Sequence, residues 1–203
     1  MTLEEQLERL SHLGLELNDG VSVEDLLESF DRESYERAPF DCVLFVLGSE
    51  AEREPWGRPI CSRVWDFDCE CIENPGDYVR IVDRLCEVAG MPGLCSEVED
   101  SIDFDSNEAW LKYTIDGKQR YWNVEVDSDW ADPVTVSRVM TDIERDGYRF
   151  FCKDNGQAMV LFYLDAVAAS ELNELSRNSL RPALPKWHES LRNLFRLPLD
   201  FHR

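Results

Sequence analysis

Leu3, Leu7, Leu10, Leu13 and Leu17 recur at three- and four-residue spacing, which predicts an amphipathic helix over 2–18 that stops at Asn18-Asp19-Gly20. A second helix is expected over 22–37, with Ser22 as its cap, Glu24 close behind and Pro39 beyond its end. From residue 40 the pattern shortens. Cys42–Gly48 is an apolar run of strand length, 50–59 is a loop by its Pro, Gly and charge, and 60–72 is strand-like. After Asn74-Pro75-Gly76, residues 77–90 place Tyr78, Ile81, Val82, Leu85 and Val88 on one helical face. Strands 108–115 and 119–127 are joined across Asp116-Gly117-Lys118, a hairpin signal, and Asp132-Pro133 opens a helix to about Asp146. Strands 148–153 and 157–164 flank Asp154-Asn155-Gly156, and a helix over 166–177 follows. The last 25 residues read as a wrapping tail with one helix around 186–195.

Val64-Trp65-Asp66-Phe67-Asp68-Cys69-Glu70 precedes the similarly patterned Tyr121-Trp122-Asn123-Val124-Glu125-Val126-Asp127 by 57 residues, which suggests a duplicated unit. The expected architecture is α+β: an antiparallel sheet built from repeated β-β-α units with helices on one face, preceded by two N-terminal helices. The whole chain, 1–203, reads as one domain: a helical segment 1–38, a core 40–177 and a tail 178–203.

Charge changes this picture most. The chain has 42 Asp and Glu against 21 Lys and Arg, a net charge of −21, and the acids run through the predicted strands. Like charge at this density opposes the compact state. Solubility, a bound cation or a basic partner would compensate. With 43% hydrophobic and 11% aromatic residues the chain is not disordered in composition. No apolar run approaches the roughly 18–20 residues of a membrane span, and Met1–Glu5 lacks the features of a signal peptide. The expectation is a cytoplasmic protein that does not bind nucleic acid or membrane, since both are anionic. Seven cysteines, an odd number, read as reduced and mostly buried thiols rather than a disulfide framework. Cys69-Glu70-Cys71 would aim two thiols to one side, but without a C-x-x-C or H-x-H partner it is not expected to hold zinc. No metal or cofactor is expected.

Strand alternation puts Trp65, Phe67 and Cys69 on one side and Asp66, Asp68 and Glu70 on the other. It likewise separates Trp122, Val124 and Val126 from Tyr121, Asn123, Glu125, Asp127 and Asp129. Were both strands in one sheet, their acidic faces would merge, with Asp103 and Asp105 extending them. Such a face is a solvated surface, a binding face for a basic protein, or a divalent-cation site. Asp127-x-Asp129-x-x-Asp132 lacks the glycine and distal Glu of a calcium loop. No nucleophile elbow, P-loop, dinucleotide fingerprint or H-E-x-x-H occurs, and His12, His188 and His202 neighbour no candidate nucleophile, so the balance leans away from an enzyme. Trp56 in the 50–59 loop and Trp130 after the acidic strand are candidate interface anchors, whereas Trp65, Trp110 and Trp122 are expected in the core. Arg53, Arg58 and Arg63 are expected to pair with neighbouring acids.

The segments Val64–Ile72, Gly76-Asp77-Tyr78, and Gly156-Gln157-Ala158 through Asn173-Glu174-Leu175 resemble bacterial polymorphic-toxin immunity proteins in their general character, being acidic, α+β, rich in Trp and without a catalytic motif. The resemblance covers about residues 40–177 and implies a protein that binds and blocks a cognate toxin. The function expected is therefore an acidic cytosolic binding protein that sequesters a basic partner, such as a toxin nuclease, through Asp66, Asp68, Glu70, Glu125, Asp127, Asp129, Trp130 and Trp56. The alternatives are a divalent-metal hydrolase using the same carboxylates and a regulatory adaptor whose helices over 2–37 pack on a partner.

Overall fold

The computed structural model describes residues 1–156, 158–177 and 179–183. Thr2 and Glu5 close a reciprocal capping box that starts α1 (Leu3–His12) and buries Leu3, Gln6 and Leu10. The helix expected over 22–37 is instead two, α2 (Val23–Ser29) and α3 (Arg32–Arg37). Phe30 between them is extended, and the Asp31 carboxylate accepts the Ser34 N–H at 2.8 Å to restart the helix. The apolar run expected as a strand at 42–48 is helical, α4 (Asp41–Val46). A short run without alternation carries no period that separates strand from helix; here Val43, Leu44, Val46 and Leu47 are all buried.

The remaining elements are β1 (Val64–Asp68), α5 (Asp77–Val88), β2 (Ser96–Asp103), β3 (Glu108–Ile115), β4 (Lys118–Val124), α6 (Pro133–Ile143), β5 (Tyr148–Asn155), β6 (Ala158–Asp165), α7 (Ala166–Leu175) and the two-residue β7 (Arg181–Pro182). They form a mixed α+β fold with two antiparallel sheets, one ordered β1-β6-β5-β7 and the other β2-β3-β4. Sequence reading missed β2 because its segment, SEVEDSID, is almost wholly polar and has one fully buried residue, Ile102.

β6 explains the layering. Its residues 159–164 are all buried, since both faces of the first sheet are covered. Val160, Phe162 and Leu164 face a cluster built with α1–α4 and α7; Met159, Leu161 and Tyr163 face another built with α5, α6 and the inner side of the second sheet. Helices thus lie on both faces of the first sheet, not on one. The repeated-unit expectation also fails at its first member: β1 is preceded by α4 rather than by a strand, and β1 and β4 belong to different sheets. The helix expected around 186–195 lies outside the described residues. Among the described residues no helix is long and apolar enough to cross a membrane.

Candidate functional site

The two acidic segments meet at a seam between the sheets. Past β1 the Asp68 carboxylate accepts the Glu70 N–H at 2.9 Å and turns the chain. Past β4 the chain turns tightly, with Ser128 at φ 54° and the Trp130 N–H donating to the Asp127 carbonyl at 3.0 Å. Two backbone bonds then join the segments: Ala131 N–H to the Cys69 carbonyl at 2.8 Å, and Ile72 N–H to the Asp129 carbonyl at 2.9 Å.

Buried and half-buried carboxylates hold this seam. Asp132 caps α6 through the Val134 N–H at 3.0 Å and takes the Thr135 hydroxyl at 2.6 Å, while its own N–H donates to the Tyr78 hydroxyl at 2.7 Å. Asp77 accepts the N–H groups of Glu73 and Asn74 at 2.6 and 2.7 Å and pairs with Arg80. Asp100, reaching from β2, accepts the N–H groups of Gly76, Tyr78 and Val79 at the start of α5. Many acids of this chain are thus structural acceptors for backbone N–H groups.

Other acids stand at the seam's surface. Asp68, Glu125, Asp127 and Asp129 are exposed, and Glu70 is half-buried beside Trp130. Trp130 is half-buried too, sharing a closed cleft with Ile72, Tyr78 and Val124, so much of it serves packing. Asp66 does not join the surface. It lies opposite Val160 on the face covered by the N-terminal helices, with Gly48 against its backbone. Its Oδ1 is buried without a partner. Burial pushes its carboxyl up from the ordinary range, the Asn155 side chain opposes this, and Asp68 adds to it. Trp56 does not join it either. It is 67% exposed, on a loop that Arg53 and Arg58 tie to Asp25 of α2, across the first sheet from α5 and α6.

These arginines pair with an acid 28 and 33 residues upstream rather than with a neighbour. Arg63 instead lies over Tyr148 and Tyr163, at 5.5 and 5.9 Å from the ring centroids. Cys69 and Cys71 pack towards the core, and burial pushes both thiols up to about 12, far from a thiolate ligand's range. Among the described residues no group of three or more His, Cys, Asp or Glu is placed to hold a metal ion.

The outer side of the second sheet extends the seam, and here sequence reading missed the main residue. Trp110, expected in the core, is half-buried on the outer side and stacks on Tyr121 with centroids 5.8 Å apart. It is out of phase with the buried Ala109, Leu111, Tyr113 and Ile115, so strand alternation itself carried the signal. Around the pair stand Glu99, bonded to Lys112 at 2.9 Å, Glu97, bonded to the Thr114 hydroxyl at 2.8 Å, and the exposed Asp103 and Glu108. Trp122 faces inward, donates to the Tyr113 hydroxyl at 3.2 Å and lies under the Arg138 guanidinium at 4.6 Å. This surface can present negative charge around an aromatic pair. No protein-family model, curated protein or solved structure matches the chain.

Proposed function

We propose that this protein binds a basic protein partner and that the seam between its sheets is the contact surface. The observation that supports the reading is the backbone pairing of 69–72 with 129–131, which holds the acids of two segments some 60 residues apart in sequence around one tryptophan. Carboxylates held on a rigid frame concentrate negative potential without losing side-chain freedom on association, and so steer a cationic surface inward. A toxin nuclease fits that chemistry, because its groove for nucleic acid is cationic and these carboxylates would stand where phosphates bind. The protein would then act as an inhibitor of the immunity kind.

The test is affinity capture from the source cell's lysate at low ionic strength. The wild-type chain should retain a basic protein and release it in about 0.5 M salt, where the Debye length is roughly 4 Å. The double variant Asp68→Lys/Asp127→Lys should not retain it, while Asp68→Asn, which keeps the acceptor that turns the chain at Glu70, should lose less. Retention of the same protein by the charge-reversed variant would overturn the proposal.

A further inference from the structure

We infer, resting on the reading above, that the basic partner docks as an added β-strand along β4. The turn Asp116-Gly117, with φ of 51° and 70°, makes Ile115 and Lys118 the closing pair of a regular hairpin. Alternation from that pair aims the N–H and C=O groups of Arg120, Trp122 and Val124 at β3, and those of Gln119, Tyr121 and Asn123 away from it. Among the described residues nothing bonds to these outward groups.

Unpaired edges are ordinarily blunted, and the other edges of this molecule are. β2 carries a register shift between Ser96 and Glu99, with Glu97 at φ 51°. The outer edge of β1 gives its Asp66 N–H to the Gly48 carbonyl at 2.8 Å. β7 is two residues long and holds a proline. β4 runs in continuous register with neither bulge nor proline; its exposed Lys118 lies at the turn end, away from Tyr121 and Asn123, and Arg120 is taken up by Asp142 at 2.9 and 3.1 Å.

The side chains of the outward residues specify the occupant. Gln119, Tyr121 and Asn123 all stand on the outer side, where Tyr121 is 55% exposed against Trp110, and the chain continues directly into Glu125, Asp127 and Asp129. An added strand would obtain main-chain bonds from the edge, lay a cationic side chain over the Tyr121 ring, and bring further cations to those carboxylates. A second copy of the chain is a poor occupant, because it brings another −21 to the same edge.

The experiment uses an acetylated peptide of alternating lysine and valine, and the same peptide N-methylated at every second residue. Methylation removes donors from one edge and leaves the charge. The plain peptide should bind at low salt and slow amide exchange at Tyr121 and Asn123. The methylated peptide should bind about tenfold more weakly. Asn123→Pro, which deletes an outward donor and no bond to β3, should weaken the plain peptide and leave the methylated one unchanged; Tyr121→Ala should weaken both. Equal affinity for the two peptides with unchanged exchange would overturn added-strand docking while leaving the acidic-surface reading standing. That reading fails separately if Glu125→Lys/Asp127→Lys binds both peptides as the wild type does. Self-association in sedimentation that Asn123→Pro abolishes would assign the edge to a second copy and also overturn the inference.

Discussion

Asp25 and Asp66 show how differently one residue type behaves under burial. Asp25 is 1% exposed but accepts from Arg53, Arg58 and the Ser22 N–H and hydroxyl. The Arg53 bond above all holds its carboxyl well below the usual range. Removing it takes the counter-charge from two guanidinium groups and the acceptor that caps α2, so Asp25→Ala should cost about 3 kcal/mol in urea unfolding. Because the folded pKa is depressed, this stabilisation is complete above the unfolded carboxyl's range and fades as pH falls below about 4. An acid-unfolding profile in which the gap between wild type and Asp25→Ala is constant above that pH and narrows progressively below it is the expected result. Asp66 is the reverse case. Its folded pKa is raised and one oxygen has no partner, so its charge penalises the fold once pH exceeds the unfolded carboxyl's range. Asp66→Asn should therefore stabilise by about 1 kcal/mol at pH 7, with a gain that shrinks towards pH 4. A thermal melt that shows the same gain at both pH values would refute the assignment. Neither residue's role was visible in sequence: Asp66 sits in a convincing acidic alternation, and only its cover of helices removes it from the surface.

At the scale of elements, the link between α4 and β1 depends on a close approach. A Cβ at Gly48 would stand 2.6 Å from the Asp66 backbone nitrogen and 3.1 Å from a Val160 methyl. Since the obstacle is backbone, Gly48→Ala should cost about 2 kcal/mol, read from the denaturation midpoint. A neutral outcome would mean that α4 can move off the sheet. The elements that were legible are those whose signals are local. The α5 and α6 periodicities and the Asp116-Gly117 turn specify their own geometry; Asp154 and Asn155, expected in the second turn, instead continue β5 opposite Met159 and Ala158. α4 and β2 were not legible because nothing local decides them. α4 is an apolar run that its neighbours wrap, and β2 is a polar strand recruited by β3 through main-chain bonds and by α5 through Asp100.

Across the whole molecule the excess of 21 negative charges is only partly absorbed by buried caps and pairs. Self-repulsion of the exposed remainder should make the fold more stable in salt. The melting temperature should rise between about 0.02 and 0.2 M NaCl, as the Debye length contracts from roughly 20 Å to 7 Å. A fall over that range would show that surface ion pairs such as Arg32–Glu4 and Lys153–Asp41 outweigh the repulsion. Sequence alone determined the charge, the apolar content, the α+β class and the hairpins, because composition is a sum and turns are local. It also named the four acids exposed at the seam, Asp68, Glu125, Asp127 and Asp129. Only the tertiary structure decided which carboxylates are spent as backbone acceptors, that Asp66 and Trp56 stand apart from the seam, and that nothing among the described residues bonds to the outer edge of β4. Each of these depends on contacts between segments distant in sequence, and a pattern of side chains along one strand does not state what covers it.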